Sequence, residues 1–569
     1  MFRMLIQGPG CQRIAKEVGY GAECLAVMSH GFDDELYCGA KVEVMDPALA
    51  FEQSIISRNQ FLFENVHRDK STIQRFYGGR VIFITGGSGF MGKLLIEKLF
   101  RTCEIKKMYV MVRPKKQSMP CERLAKTVED PVFDGLKKMQ PNFIHKIEAI
   151  EGDIADIRLG ISENNWNRLI EEVDLIFHMA AVVKFDAPLK STVLSNVRGT
   201  REAIRLGKCC KLLRSFVYVS TAYSHATRSR IGTEISEDFH QSPASPDALI
   251  QLVETLDEDK LKEVTPALIK DWPNTYSFSK AVAEEMIRIT AGDLPICVVK
   301  PAIVIPTNRE PVPGWIDMNC VFGPSGLLIG MGLGLLHVFF ADVNIRVNIV
   351  PGDIATNAVI ATGWETARRF SAGDKEIKVY AVSNVRNPVK WGTIGDFFRG
   401  EAKKFMSPLV TYYPWGVETK SKFMFFIYSW LFHFIPAYVI DFICMLIGKP
   451  RRFVKLYEKV YKMSAVFSYF NCNEWTFNDN NLRDLHLAMN EDDKEIFNID
   501  LSDIDWFDQM NIWIIGLRKY IVKDGLTGTD YALKKYFLLR LGHYILTILC
   551  LYSLWKTSAY VFYSLSSFF

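Results

Sequence analysis

The sequence lacks the patterns that mark a zinc-bound or disulfide-bonded protein. Its 12 cysteines are scattered, with no C-x-x-C pair, and it contains no N-x-S/T glycosylation site. Spaced cysteine pairs are the usual signature of zinc sites and disulfide scaffolds, so we expect neither here, and no metal site. We expect small cysteine side chains in the core and a reducing, cytosol-facing environment.

The sequence also lacks a large net charge and an N-terminal apolar run of the kind found in signal peptides. The net charge is only +4 over 569 residues, which argues against a dedicated nucleic-acid-binding protein. Gln7, Arg13, Lys16 and Glu17 interrupt any apolar run in the first 27 residues, so a signal peptide is not expected. Residues 1–70 show no strong periodicity and are expected to form a poorly defined N-terminal extension.

From residue 71 to 365 the chain alternates between apolar strands and helical segments. This alternation predicts an α/β domain with a Rossmann-type, doubly wound parallel sheet covered by helices on both faces. The predicted strands are Val81–Ile84, Met108–Val112, Ile147–Ile150, Leu175–Phe177, Phe216–Val219 and Ile296–Val299.

The second half of the chain is helical and includes two long apolar stretches. The segment 366–452 is predicted to be a linker whose part 423–447 is long enough to cross a bilayer. Its internal His433, Pro436 and Asp441 favour an interfacial hairpin over a single span, with a buried helix pair as the alternative. Residues 453–540 read as a soluble helical domain. Residues 541–569 read as a hydrophobic C-terminal anchor, or else as a helix docked on the protein.

The first strand runs into the glycine-rich sequence Thr85-Gly-Gly-Ser-Gly-Phe-Met-Gly92. Such a turn before a helix predicts a dinucleotide site. Gly86 would permit the tight turn, Gly89 would let the backbone approach a pyrophosphate, and Gly92 would let the helix pack closely on the sheet. The predicted cofactor-binding residues here are Thr85, Gly86, Gly89, Phe90, Met91 and Gly92.

Residues after the later strands indicate which dinucleotide binds. Arg113 follows the second strand, where NAD-selective sites usually carry an acidic residue, so the sequence predicts NADPH over NADH. A solvated basic turn is the alternative. Asp153 and Ile154 follow the third strand, where the carboxylate would accept from the adenine amino group or cap a turn. Ala180, Ala181 and Asn196 complete the predicted cofactor-binding set, with Asn196 as a structural or proton-relay amide.

Tyr276 and Lys280 are predicted to be the catalytic pair. They stand four residues apart and so share one face of a helix. A nearby ammonium eases ionisation of a tyrosine, and the tyrosine can then give a proton to a carbonyl oxygen that receives hydride. A third donor is expected from Ser220 or Thr221 at the end of a strand, with Thr221 favoured. Plain turn chemistry is the alternative there.

Five stretches of the sequence resemble the alcohol-forming fatty acyl-CoA reductases of insects, within the extended short-chain dehydrogenase/reductase superfamily. They are TGGSGFMGKLLIEKLF, HMAAVVKFD, FVYVSTAYS, YSFSKAVAEE and EPVPGWIDMNCVFGPSGLLIGMGLG. The Pro313–Asp317 block and the run from Gly323 to Gly334 are the specific part, and the resemblance covers about 71–540. The chain departs from the family's Arg-Pro-Ser by having Lys300-Pro301-Ala302.

The resemblance implies that the protein reduces long-chain or very-long-chain acyl-CoA to a primary alcohol through a bound aldehyde, using two NADPH and releasing CoA. A flexible apolar loop from Gly323 to Gly334 would admit the acyl chain. The catalytic domain is expected on the cytosolic side of the endoplasmic reticulum membrane, with the peroxisome as the second choice. The alternatives are another carbonyl reductase of the same superfamily, such as a hydroxysteroid dehydrogenase, or a non-catalytic lipid-binding protein. The oligomeric state is left open.

Overall fold

The computed structural model describes residues 45–63, 66, 70–114, 118–321 and 323–566. Most of the predicted N-terminal extension therefore lies outside the described residues, as do Lys115 and Lys116 of the basic turn. The strands are β1 Val81–Thr85, β2 Lys107–Val112, β3 Ile147–Glu151, β4 Leu175–His178, β5 Ser215–Val219, β6 Glu234–Ile235, β7 Ile296–Pro301, β8 Ile303–Ile305, β9 Val338–Phe340, β10 Arg346–Val347, β11 Ile349–Pro351, β12 Val379–Val382, β13 Val389–Lys390, β14 Val417–Thr419 and β15 Thr476–Phe477.

Helices account for most of the remaining described chain. Before β7 they are α1 Pro47–Arg58, α2 Thr72–Tyr77, α3 Phe90–Thr102, α4 Pro120–Val128, α5 Asp134–Met139, α6 Glu163–Glu172, α7 Leu189–Thr192, α8 Gly199–Cys209, α9 Pro246–Thr255, α10 Glu258–Leu268 and α11 Thr275–Thr290. After β8 they are α12 Pro324–Gly332, α13 Gly352–Ser371, α14 Trp391–Arg399, α15 Lys422–Ser429, α16 Ile435–Leu446, α17 Phe453–Asn471, α18 Asn480–Ala488, α19 Glu491–Ile496, α20 Trp506–Gly516 and α21 Thr529–Ser566.

Seven strands form one parallel sheet in the order β12-β7-β5-β4-β1-β2-β3. The interior strands β1, β4 and β5 are buried along their whole length, because helices cover both faces of the sheet. Chain order reverses between β1 and β4, which is where such sheets open a crevice for a dinucleotide. The predicted doubly wound α/β fold is confirmed. The sheet also has a seventh strand, β12, beyond residue 365.

The Pro313–Asp317 block joins the half of the protein that contains β1 and α3 to the C-terminal helices. Trp315 is buried and donates a hydrogen bond to Asp130, 3.0 Å away. Asp317 pairs with Lys93 of α3 at 2.5 Å. A Cβ on Gly314 would stand 2.6 Å from the Ile512 carbonyl oxygen of α20, so only glycine allows this approach. The C-terminal helices are therefore packed directly on the α/β domain.

Helix α1 packs against the C-terminal part of the chain. Asp46 caps α1 through the Ala48 N–H and also accepts hydrogen bonds from the backbone N–H and hydroxyl of Thr529. Glu52 pairs with Lys519 on the segment after α20. The described part of the N-terminal region therefore holds the start of α21 in place.

The apolar segment 423–447 forms a continuous helical run, Lys422–Leu446, with a π-helical stretch at Trp430–Phe434. The segment 423–447 was expected to fold back on itself as a hairpin, and that expectation is wrong. It is one helical run, and the helix that packs against it is the following helix α17. The polar residues face the protein. His433 accepts from the His337 N–H at 2.9 Å, and Asp441 accepts from the N–H groups that start α17. The opposite face, including Phe423, Phe442 and Leu446, is exposed and apolar.

Helix α21 is the second run in the described residues that is long and apolar enough to cross a membrane. It is anchored in the protein by buried Thr529, Ala532 and Tyr536, and its apolar residues from Leu541 onward are exposed. The Gly323–Gly334 run contains helix α12, so the expected flexible loop there is wrong.

Candidate active site

The glycine-rich turn has the geometry of an anion-binding cradle. Gly86 has a φ of +81°, and a Cβ on it would lie 2.7 Å from the Ala180 nitrogen. A Cβ on Gly92 would lie 2.2 Å from the Gly86 carbonyl oxygen. Gly89 is the N-cap of α3, and a Cβ there would meet only the Gly86 oxygen, at 3.3 Å. Gly86 and Gly92 are thus required by the fold, whereas the fold alone does not require glycine at position 89, at the N-terminus of α3.

Phe90, Met91 and Gly92 form the first turn of α3, whose N–H groups start the helix. The Phe90 ring is buried and lies 5.2 Å from the Trp315 ring, so its side chain packs inward. Met91 is half-buried. Phe90 and Met91 can therefore bind a phosphate through the backbone N–H groups of this turn.

Thr85 and His178 tie together the ends of β1 and β4 below the turn. The Thr85 hydroxyl lies 2.8 Å from His178 Nδ1 and accepts from the Ala180 N–H at 3.3 Å. Burial, helped by the positive charge of Lys280, lowers the pKa of His178 to about 3, so this imidazole is neutral. His178 was not among the predicted site residues, although it directly follows the predicted strand Leu175–Phe177 and precedes Ala180 by two residues.

Arg113 and Asp153 form an ion pair at the ends of β2 and β3, with 3.0 Å between Arg113 Nε and Asp153 Oδ2. The other carboxylate oxygen of Asp153 accepts from the Ala155 N–H at 3.0 Å. The carboxylate thus caps a turn and orients the guanidinium. Ile154 is buried, and its carbonyl oxygen would lie 2.6 Å from a Cβ on Gly199.

Asn196 clamps the loop after β4. Its Oδ1 accepts from the Val182 N–H at 2.8 Å, and its amide donates to Val182 O and to Ser279 Oγ, 3.1 and 2.9 Å away. This amide fixes the half-exposed Ala180–Ala181 backbone against α11. In the structure Asn196 is a buried structural amide beside the site.

Helix α11 carries Tyr276 and Lys280 one turn apart, and it starts at Asn274, whose side chain accepts from the Ser277 N–H. Lys280 is buried and donates to the Val219 carbonyl oxygen at 2.7 Å. Burial lowers the pKa of Lys280 to about 7, against the opposing charge of Glu284. The amine therefore titrates near neutral pH.

Tyr276 is half-buried, and the Thr221 side chain lies near its hydroxyl. Burial raises the pKa of Tyr276 to about 12, Thr221 opposes that rise, and the Glu284 charge adds to it. The tyrosine is therefore a protonated acid at neutral pH. Of the two predicted donors, Thr221 is the one whose side chain lies near the Tyr276 hydroxyl.

Ser220 points the other way, into a buried charged cluster that the sequence analysis missed. Its hydroxyl donates to Glu284 Oε1 at 2.5 Å, and Glu284 Oε2 lies 2.8 Å from the Lys300 amine. Although burial acts to raise it, Lys300 and His225 hold the pKa of Glu284 far below its usual range. Glu284 follows Lys280 by four residues, so the same helical spacing could have identified it.

Lys300, in the Lys-Pro-Ala sequence, is thus the counter-ion of Glu284, which lies one helical turn from Lys280. Both side chains are buried. A buried carboxylate so close to Lys280 favours its ammonium form. The buried cluster therefore acts on the pKa of Lys280 through the negative charge of Glu284.

Comparisons with known proteins identify the family of the chain. Two family models described as male sterility protein, the first of them an NAD-binding model, match residues 84–359 and 432–524. The chain is 37% identical over 503 residues to fatty acyl-CoA reductase wat of Drosophila melanogaster, covering 88% of this chain and 95% of that protein. It is 32% identical over 488 residues to fatty acyl-CoA reductase 1 of Rattus norvegicus, covering 85% of this chain and 93% of that protein.

A solved structure matches the fold. The reductase domain of a nonribosomal peptide synthetase from Mycobacterium tuberculosis has a TM-score of 0.52 at 19% identity, over 84% of this chain and 99% of that one. The relatives, matched along nearly their whole length, establish the family that the sequence motifs indicate. The chain belongs to the fatty acyl-CoA reductase family.

Proposed function

We propose that this protein reduces long-chain or very-long-chain fatty acyl-CoA to the primary alcohol, with two NADPH, release of CoA and a bound aldehyde on the way. The observation that carries the proposal is the placement of the Thr221 hydroxyl near that of Tyr276. This pair stands at the carboxyl end of the sheet, beside a buried Lys280. The family of the chain supplies the substrate class.

The residues present fit a dinucleotide. The turn at Gly86–Gly92 would receive the pyrophosphate at the start of α3, Lys280 would hold the nicotinamide ribose, and Arg113 would face the 2′-phosphate. Arg113 is always charged and about half-exposed, so it favours NADPH over NADH. When bound, the cofactor supplies hydride to the substrate carbonyl carbon.

Tyr276 and Thr221 act on the substrate oxygen. Both can donate hydrogen bonds to the carbonyl oxygen and so stabilise the negative charge that develops there. Because its pKa is near 12, Tyr276 holds a proton to give to the final alkoxide. Tyr276 lies in the first turn of α11, where the helix dipole stabilises the tyrosinate left behind. Lys280 in its ammonium form adds to that stabilisation.

We further propose that the exposed apolar faces of Lys422–Leu446 and α21 bind the endoplasmic reticulum membrane, with the catalytic domain on the cytosolic side. Because His433 and Asp441 face inward, the outer face of the first run is free of charge from Phe423 onward. Deleting 541–569 should weaken flotation with liposomes, and adding exposed charges at Phe423 and Phe442 should weaken it further. Full retention by the doubly altered protein would contradict membrane binding through these faces.

The reaction is tested with the full-length protein expressed in membranes, NADPH and a panel of acyl-CoAs, with alcohol and aldehyde measured by gas chromatography. Wild type should form alcohol, and Tyr276→Phe should lose about 100- to 10,000-fold of the rate. Reduction of a steroid or isoprenoid carbonyl but of no acyl-CoA would favour another carbonyl reductase. A folded protein that fails to bind NADPH would favour the non-catalytic alternative.

A further inference from the structure

We propose that the acyl chain of the substrate binds along one half-buried apolar stripe of α17, leading away from Tyr276. This α17 stripe consists of Leu456, Val460, Met463 and Phe467. The inference rests on the proposed function and adds to it the chain-binding site and the residues that set chain-length preference.

One end of the stripe lies beside the catalytic tyrosine. The Phe185 ring stacks near Tyr276, with 6.0 Å between centroids and 21° between planes. The ring of Phe467 lies 5.4 Å from that of Phe185, and Phe470 flanks it at 5.6 Å. The surface that leaves Tyr276 along α17 is therefore aromatic and apolar.

The spacing of the stripe puts its members on one side of the helix, at positions i, i+4, i+7 and i+11. All are half-buried, whereas the neighbouring face is already packed. On that packed face the Tyr457 hydroxyl donates to Leu335 O at 2.9 Å, and Tyr461 stacks on Phe425 at 5.0 Å. The stripe spans 11 residues, or about 16 Å of helix, which suits an extended alkyl chain.

The other end of the stripe meets the exposed apolar helix. The Asp441 side chain of α16 accepts from the N–H groups of Arg452, Phe453 and Val454 at 3.0 to 3.1 Å, which fixes the start of α17 against α16. The outer face of α16 carries exposed apolar residues such as Phe442. An acyl chain can therefore extend from Tyr276 to this apolar surface while remaining on apolar side chains.

A substrate alkyl chain is the occupant that fits these observations. The stripe carries no charge, its Phe467 end is joined to Tyr276 through the Phe185 ring, and its other end meets an apolar surface suited to lipid. The solvent-facing side of the same helix has the opposite character, with exposed Lys455, Lys459 and Lys462. A chain bound on the stripe would keep its reactive end at Tyr276 and extend away from it.

The test is a chain-length profile of two stripe variants and one matched control. Met463→Trp places a bulky ring close to the Tyr276 end, and Leu456→Trp places one about three helical turns from Phe467. Ala465→Trp adds the same ring on the exposed opposite side of α17. Octanoyl-, palmitoyl- and tetracosanoyl-CoA are compared by kcat/KM with NADPH, and NADPH binding reports whether each variant is folded.

Met463→Trp should lower kcat/KM for palmitoyl- and tetracosanoyl-CoA by about tenfold or more and leave octanoyl-CoA within about twofold. Leu456→Trp should reduce only tetracosanoyl-CoA, and Ala465→Trp should match wild type. Unchanged ratios in both folded stripe variants, or the same shift in the control, would overturn this inference alone. A wild-type protein that makes no alcohol from any acyl-CoA would overturn the proposed function and the inference with it.

Discussion

Gly89 and Gly92 give a sharp test of the cofactor cradle, because alanine should affect them in different ways. A Cβ on Gly92 would lie 2.2 Å from the Gly86 oxygen and 2.6 Å from the Gly87 Cα. The backbone must move by about 1 Å to regain ordinary contact. Gly92→Ala should therefore destabilise the protein by about 1–3 kcal/mol, as other overpacked sites do, and also weaken NADPH binding.

Gly89→Ala should leave folding intact. The position has a φ of −84° and ψ of 176°, which alanine adopts freely, and its Cβ meets only one atom at 3.3 Å. That Cβ would occupy the path of the pyrophosphate and cost at least one charge-assisted hydrogen bond, worth about 1.5–3 kcal/mol. The Kd for NADPH should rise by about 10- to 100-fold.

The two variants are compared by thermal unfolding without cofactor and by fluorescence titration with NADPH. Gly89→Ala should unfold at the wild-type temperature but bind NADPH weakly. Gly92→Ala should unfold at a lower temperature than wild type. A Gly89→Ala protein that binds NADPH as wild type does would refute the placement of the pyrophosphate at this turn.

Three further results are expected. Thr221→Val should lower kcat by about 100- to 1,000-fold by removing a donor beside Tyr276, whereas Ser220→Ala should cost far less; equal losses in steady-state assays would be evidence against this assignment. Arg113→Ser should weaken NADPH by about 10- to 100-fold and leave NADH unchanged, and titrations showing equal effects would exclude a 2′-phosphate contact. Because burial lowers the pKa of Lys280 to about 7, the amine is charged below that pH and neutral above it. If the bound cofactor favours the ammonium form of Lys280, cofactor binding at about pH 8 should be accompanied by proton uptake, which calorimetry in two buffers of different ionisation enthalpy measures. The Lys280→Arg variant should take up no protons on binding.

The sequence predicted the six strands whose apolar runs are flanked by helices, within one or two residues at each end. It missed β12, the seventh, because Val379–Val382 is short and follows the charged stretch Asp374–Lys378. The hairpin expected in 423–447 failed for a different reason. A polar Asp441 or His433 is costly in lipid, which favoured the hairpin, but both side chains hydrogen-bond to the protein. His433 accepts from the distant His337 N–H, and Asp441 accepts from the Arg452 N–H beyond the segment.

At the site, local spacing identified Tyr276 and Lys280 because both lie on one helix. The choice between Ser220 and Thr221 depended on which side of the strand end each side chain takes, and adjacent residues point to opposite sides. The structure puts Thr221 on the tyrosine side and Ser220 on the Glu284 side. The Glu284–Lys300 pair joins a helix to a separate strand, so no sequence period reveals it.

One site should deliver two reductions to the same carbon. We would incubate the membrane-expressed protein with palmitoyl-CoA and NADPH deuterated at the transferred position, and analyse the alcohol by mass spectrometry. The account predicts hexadecanol with two deuterium atoms on its first carbon, and no product from Tyr276→Phe above about one per cent of wild type. Aldehyde with a single deuterium and no alcohol, or product formed equally well by the variant, would contradict it.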